Sequence, residues 1–236
     1  MDLKESGTLA GDPADHWYFA SKARAVVRTL GRSVPRVVLD VGAGAGFFSK
    51  HVLQHTAAAE VWSVDSGYSR DWDETVGEGG KVVHFRRAIG PVDAGLVLLM
   101  DVLEHVDDDV GLLREYAAKV PSGTRFLITV PAFAFLWSAH DEFLEHRRRY
   151  TLRQLESVVR AAGLEVASGH YYFAAAFPAA AATRLVSRNL APPRSLLVRH
   201  GRFVNGVLRA ISGAELSLMR FNRLFGLTVV CVAQKP

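Results

Sequence analysis

Apolar and polar positions follow two rhythms along the chain. Short, nearly continuous apolar runs read as strands buried on both faces: RVVLDVG at 36–42, EVWSVD at 60–65, KVVHFRRA at 81–88, AGLVLLMD at 94–101 and RFLITVP at 125–131. Segments with helical spacing lie between them: GFFSKHVLQHT at 46–56, VDDDVGLLREYAAKV at 106–120 and TLRQLESVVRAAG at 151–163. The aspartates heading the second of these suit the positive end of a helix dipole. In the third, Thr151 and Gln154 have capping-box spacing, and Gly163 falls just past the C-terminus. LEVASGHYYF at 164–173 and GLTVVCVAQKP at 226–236 supply a sixth and a seventh strand, and a further helix is expected between the second strand and residue 81. Strands alternating with helices predict a parallel sheet covered on both faces. About fifty residues between the last two strands, rich in Ala, Leu and Arg, exceed a simple connection. They predict a helical, basic insertion over 174–222, broken near Ala191-Pro192-Pro193. The expected organisation is one domain over 1–236, with an N-terminal helical segment over 1–33 able to close as a lid.

Composition narrows the class. A chain of 236 residues with 49% hydrophobic and 22% charged positions is that of an ordinary globular protein. The single cysteine, Cys231, excludes an internal disulfide framework and a cysteine-rich zinc site. The N-terminus lacks the basic-then-apolar pattern of a secretory signal. The apolar stretch YYFAAAFPAAAAT is interrupted by Pro178 and falls short of the roughly 20 residues a spanning helix needs. A cytoplasmic location is expected. The net charge of +4 is unevenly spread: from Val166 onward, eight arginines and Lys235 face Glu215 alone. That excess fits a solvated basic surface, an anionic substrate or peripheral contact with an anionic membrane.

LDVGAGAGFFS lies where the first strand hands over to the first helix, the ligand-binding position of an open parallel sheet. Gly42, Gly44 and Gly46 let a ligand approach the main chain. A dinucleotide fingerprint would need Gly or Ala at position 47, where Phe47 stands. Asp40, two residues before Gly42, would repel a pyrophosphate but suits a ligand carrying an ammonium group and a sulfonium. Asp65 ends the second strand, where a carboxylate can accept both hydroxyls of a ribose.

DVGAGAG at 40–46, SVDSG around Asp65 and MDVLEHV at 100–106 together resemble the class I S-adenosylmethionine-dependent methyltransferases, over roughly residues 16–170 and the tail strand. MDVLEHV is similar to the branch acting on small molecules and quinone precursors. HWYFASKAR and FLWSAHDEFLEHRRRYTLRQL resemble an uncharacterised bacterial subgroup. The resemblance implies a Rossmann-like, doubly wound, mostly parallel seven-stranded sheet whose last strand is antiparallel. It implies S-adenosyl-L-methionine as cofactor and S-adenosyl-L-homocysteine as product. Asp40, Gly42, Ala43 and Gly44 would organise the methionine end. Asp65 would hold the ribose with Ser66 beside the adenine, and Ala88 and Ile89 would lie at the adenine edge. Asp101 and Val102 would lie under the methionine, with His105 near the site. RRAIGPVDAG lacks the acidic residue usual in that segment, which leaves adenine to backbone groups and apolar packing. Lys22 and Arg24 are candidate partners of the methionine carboxylate, with a solvated helix face as the favoured alternative.

SAHDEFLEHRRRY at 138–150 concentrates ionisable groups in the connection after the fifth strand, which overhangs such a cofactor. There a methyl acceptor must meet the sulfonium in line. An oxygen acceptor gains from a nearby base, and His140 and His146 are available. His140 is favoured, with Asp141 beside it to orient its ring. Trp17, Tyr18, Trp137, Arg147 and Tyr150 are the candidate contacts of a small amphipathic or aromatic acceptor. No metal is assigned: His140, Asp141, Glu145 and His146 lack a recognised ligand spacing, and three arginines neutralise the carboxylates. A salt-bridged structural loop is the plain alternative. Methylation of RNA or another nucleic acid is the runner-up, because the chain is basic, and is weakened because MDVL stands where exocyclic-amine DNA methylases carry N/D-P-P-Y/F. The same strand-end pattern also accommodates a nicotinamide oxidoreductase or a catalytically silent cofactor-binding protein.

Overall fold

The computed structural model describes residues 11–31, 33–77, 79–187 and 201–236. Five parallel strands, β1 (Val37–Val41), β2 (Glu60–Val64), β4 (Lys81–Arg86), β5 (Leu96–Met100) and β6 (Arg125–Pro131), form the centre of one sheet. β3 (Trp72–Val76) adds antiparallel to β4 at one edge. β8 (Thr228–Gln234) runs antiparallel between β6 and β7 (Glu165–Tyr172) at the other, giving the order β3-β4-β2-β1-β5-β6-β8-β7. The carboxyl ends of β1, β2, β4, β5, β6 and β7 therefore share one edge.

The sheet has eight strands where seven were expected, because the segment before residue 81 forms β3 and no helix. Trp72, Glu74 and Val76 alternate with Asp73 and Thr75, and a glycine-rich turn returns the chain into β4. The Trp72 ring stacks on its cross-strand partner Phe85 with centroids 4.3 Å apart and an interplanar angle of 5°.

Helices cover both faces. On one, α1 (Trp17–Leu30) and α2 (Phe47–His55) pack Ala23, Val26, Leu30, Phe48 and Val52 against Val38, Val61, Val83 and Leu98. On the other, α3 (Asp109–Ala118) and α5 (Leu152–Ala161) pack Leu113, Tyr116, Leu155 and Val159 against Leu39, Val97, Leu99 and Ile128. α5 begins with the expected capping box: the Gln154 amide donates to Thr151 Oγ1, and Gln154 Oε1 accepts from the Thr151 amide. Between β6 and α5 stands the short helix α4 (Ala139–Phe143), capped in the same way by Ser138 and Asp141. The expected insertion is helical in its described parts, α6 (Phe177–Ser187) and α7 (Arg202–Glu215). The expected break near Ala191-Pro192-Pro193 and the first ten residues of the N-terminal segment lie outside the described residues.

Candidate functional site

Three strands end at the carboxyl edge in backbone conformations unusual for side chains. Asp101 follows β5 with φ 58°, Phe133 follows β6 with φ 56° and Phe173 follows β7 with φ 63°. Left-handed backbone outside glycine costs energy and gathers at sites held in place by their surroundings. The strain here lines one edge.

At the start of α2, Gly42 has φ 63°, and a Cβ added there would stand 2.7 Å from Val102 Cγ2; at Gly46, with φ 73°, it would meet the Phe85 ring at 2.6 Å. Both positions require glycine. The loop's amides turn inward: Gly42 and Ala43 donate to Val64 O at 2.7 and 3.2 Å, Gly44 to Asp65 Oδ2 at 2.9 Å and Gly46 to Ala43 O at 3.0 Å. A phosphate cradle needs such amides aimed at the anion. These four are already engaged, which argues against a pyrophosphate ligand.

Asp40 lies beneath the loop, 1% exposed. Its Oδ2 accepts from Ser49 Oγ at 2.5 Å, with Ser63 Oγ a further 2.7 Å on, while Oδ1 is buried with no hydrogen-bond partner. Burial pushes this carboxyl up to about 6, with Ser49 opposing. Half-buried Asp65 ties the loop to the second strand end: Oδ2 holds the Gly44 amide and Oδ1 the Gly67 amide at 2.9 Å. A carboxylate has about four lone-pair positions, so both oxygens retain capacity to accept hydroxyls. The Tyr68 hydroxyl donates to Gly44 O at 2.7 Å and closes the same turn.

Asp101 is paired with Lys22, which reaches up from α1, and its Oδ1 accepts from Thr129 Oγ1 at 3.0 Å. Lys22 is only 2% exposed, against 33% for the Asp101 side chain. Burial opposes both charges, yet each stabilises the other: the Lys22 ammonium is held above its ordinary range and the Asp101 carboxyl below its own. The solvated-face alternative for Lys22 is thereby corrected. The signal was present, since Phe19, Lys22, Ala23, Val26 and Leu30 share one helical face.

The cap over this edge folds around Asp141, which is wholly buried. Its carboxylate accepts from the Ser138 amide at 2.9 Å, Arg149 Nε at 2.7 Å, Arg149 Nη2 at 3.0 Å and His146 Nδ1 at 2.9 Å. Burial alone would raise this carboxyl, but His146 and Arg149 hold it well below the usual carboxylate range. Arg149 also donates to Ala132 O at 2.9 Å. Backbone contacts then dock the cap onto the turn Leu103–His105. The Arg147 amide donates to Glu104 O at 2.7 Å, Arg147 Nε to His105 O at 3.0 Å and the Tyr150 hydroxyl to Leu103 O at 3.1 Å.

The sequence profile of a family described as Methyltransferase domain matches residues 14–168, well over half of the chain. The chain belongs to the class I S-adenosylmethionine-dependent methyltransferases. No curated protein sequence matches it. Among solved structures, an S-adenosylmethionine-dependent methyltransferase from Mesorhizobium loti superposes with a TM-score of 0.56 at 13% identity, covering 95% of this chain and 100% of that one. Phosphoethanolamine N-methyltransferase 2 from Haemonchus contortus, in complex with S-adenosyl-L-methionine, gives 0.53 at 14%, covering 91% of this chain and 52% of that one. The [4+2]-cyclase SpnF gives 0.53 at 17%, covering 92% and 80%. At such identities the likeness carries the fold alone, and the cyclase illustrates that this fold does not by itself fix the reaction.

In this methyltransferase, Asp40, Gly42, Ala43, Gly44, Asp65, Asp101 and Val102 lie at or just after the carboxyl ends of β1, β2 and β5. Exposed Ser66 and Ala88 and half-buried Ile89 follow the ends of β2 and β4. Four expectations on the acceptor side are corrected. Asp141 orients His146, not His140. Tyr150 is 3% exposed, its hydroxyl engaged by Leu103 O and by Asp109 Oδ2 at 2.7 Å, so it braces the cap from inside. Arg147 pairs with Asp107 and staples the cap to the 103–105 turn. Trp17 and Tyr18 pack on Phe173, edge-on at 5.5 Å and stacked at 5.0 Å, so in this structure they belong to the packing of α1 on the sheet. Half-buried His140 and Trp137 stand in the cap itself. Arg149 neutralises a carboxylate of the cluster as expected, whereas Glu104 and Arg184 carried no expectation; the latter donates to Leu136 O at 3.2 Å and joins α6 to the cap.

Proposed function

We propose that this methyltransferase transfers the methyl group to an oxygen of a small amphipathic or aromatic acceptor held beneath the 132–150 cap. The observation that carries the reading is the Asp141–His146 couple, a histidine oriented by a buried carboxylate on the segment docked against Leu103–His105. When bound, S-adenosylmethionine supplies a methyl group already activated by its sulfonium. The protein's task is to bind, orient and exclude water. The residues present fit that cofactor: Gly42 and Gly46 let the loop close against Val102 and Phe85 where no side chain would fit, and Asp40 keeps one buried oxygen unpartnered. Asp65 would take the ribose hydroxyls, with Ser66, Ala88 and Ile89 beside the adenine, and Asp101 and Lys22 would face the methionine end. His146 is the group placed to activate the acceptor, with His140 next in line on the same cap. Replacing His146 with Ala should leave S-adenosylmethionine affinity by calorimetry unchanged and lower kcat by about 10²–10⁴-fold. Normal turnover in that variant would overturn the assignment.

A second observation bears on where the acceptor resides. α7 carries its apolar side outward, with Phe203 83% exposed and Val204, Val207 and Ile211 along the same side. Its polar side faces α1, where Asn205 Oδ1 accepts from the Trp17 amide at 2.8 Å. Phe221 and Leu224 are exposed as well, and exposed Arg202 and Arg220 stand next to Phe203 and Phe221 in the chain. Among the described residues, no helix is long and apolar enough to cross a membrane. An outward apolar face with exposed arginines next to it in the chain fits an anionic lipid surface, and a membrane-borne acceptor would be delivered there. Co-sedimentation with phosphatidylglycerol vesicles should be strong and should fall on Phe203→Glu; equal recovery with phosphatidylcholine alone would discount the electrostatic part.

A further inference from the structure

Glu104 is the feature that neither the fold nor the proposed acceptor site uses. It lies in the turn Leu103–His105 with 0% exposure, and neither carboxylate oxygen has a hydrogen-bond partner. An isolated buried carboxylate is among the costliest arrangements a protein can hold. The charged neighbours relieve it only in part: Lys22 is paired with Asp101 and Arg149 is chelated by Asp141, so each nearby cation already has its own anion. What stands next to Glu104 is a pair of imidazoles. The rings of His105 and His146 meet edge to face with centroids 4.7 Å apart, and one ligand atom from each of Glu104, His105 and His146 lies within 4.8 Å of the others.

We propose that Glu104, His105 and His146 form a binding site for one divalent transition-metal ion, of the zinc, iron or manganese class. Two imidazoles and one carboxylate are the donor set such ions take, and three protein ligands leave open coordination positions, as in catalytic rather than structural sites. The surroundings are built to match. His146 Nδ1 is fixed by Asp141 Oδ1 at 2.9 Å, which leaves Nε2 as the ligand atom and reproduces the carboxylate–histidine–metal arrangement. The two segments that bring the ligands are locked together at this point by the Arg147 amide on Glu104 O and by Arg147 Nε on His105 O. Charge balance agrees, since a cation compensates Glu104, both of whose carboxylate oxygens are buried without a hydrogen-bond partner. This ligand set differs from the cluster His140, Asp141, Glu145 and His146, because Asp141 is spent on orienting His146. In its relation to catalysis the proposal rests on the acceptor reading above: His146 then acts as a ligand, and an acceptor oxygen takes an open position.

The test uses the full chain, stripped with a chelator and titrated with Zn²⁺ alone by calorimetry, with Co²⁺ absorption as a second readout of coordination. Wild-type protein should bind one ion per chain. Glu104→Gln, an isostere of the neutral acid, and His146→Ala should each weaken binding by more than about 100-fold, beyond the loss typical of outer-shell changes. Glu145→Gln, in the same cap, should bind as wild type. S-adenosylmethionine affinity, measured on the same samples, checks that each variant is folded. No stoichiometric ion on wild type, or unchanged binding in Glu104→Gln or His146→Ala, overturns the site. Either result leaves the methyl-transfer reading standing, because that reading fails through normal turnover of His146→Ala, which metal titration does not measure.

Discussion

The cofactor edge and the docking of the 132–150 cap use the same kinds of residue over different distances along the chain. Around Asp40 and Asp65 the partners are close in sequence or main-chain groups: Ser49 lies nine residues away, and the Gly44 and Gly67 amides belong to the strand-end turns themselves. The cap is local around Asp141 but docked at long range: Tyr150 and Arg148 reach Asp109 across 41 and 39 residues, and Arg147 reaches the 103–107 turn across about the same span. A motif records the first kind of contact because spacing and backbone geometry determine it. The second kind is settled by which loop the fold lays over which, and spacing carries no trace of that.

The widest test of this contrast is Asp141→Asn. Removing the charge leaves Arg149 buried without its counter-ion, which should destabilise the protein by about 3–5 kcal/mol in urea unfolding and lower turnover through His146. The cofactor edge shares no hydrogen bond with Asp141, so S-adenosylmethionine affinity of the folded fraction should stay near wild type. A large loss of affinity would show that cap and cofactor edge form one unit, and the contrast between them would fail.

Asp40→Asn sharpens the other side. The folded-state carboxyl is held at about 6, above its ordinary 3.8, by burial. Between those values the native state binds the proton more tightly than the unfolded chain, so stability from this group falls as pH rises through that window. Above it the ionised carboxylate costs roughly 3 kcal/mol. The Asn variant should therefore be more stable than wild type at pH 8 and match it near pH 4, while binding S-adenosylmethionine more weakly. Equal pH profiles would mean that the buried charge is relieved by some other group.

Much of the fold was legible because buried parallel strands announce themselves as apolar runs and the helix ends carry their caps, as Thr151, Gln154 and Gly163 do. β3 was not, since its alternation is polar on one side and its partner Phe85 lies in the next strand. At the site, glycines and terminal aspartates were legible for the same local reason. Lys22 was legible only to a reader who placed it on the helical face of Phe19 and Val26. Glu104 gave no sign, because a buried unpartnered acid looks in sequence like any solvated glutamate.

The finest test separates bracing from recognition in the cap. Arg147 was expected to clamp an acceptor, yet its guanidinium is half exposed and pairs with Asp107, whose side chain is 78% exposed. Surface pairs of this kind contribute between about 0 and 1 kcal/mol. Arg147→Ala should therefore lower stability by less than about 1 kcal/mol and leave S-adenosylmethionine affinity unchanged. The informative quantity is KM for the acceptor. A brace acts by positioning His146 and would lower kcat at constant KM, whereas a clamp acts in the ground state and would raise KM at constant kcat. The geometry favours the brace, since both Nε and the amide of Arg147 are already committed to the turn beneath it.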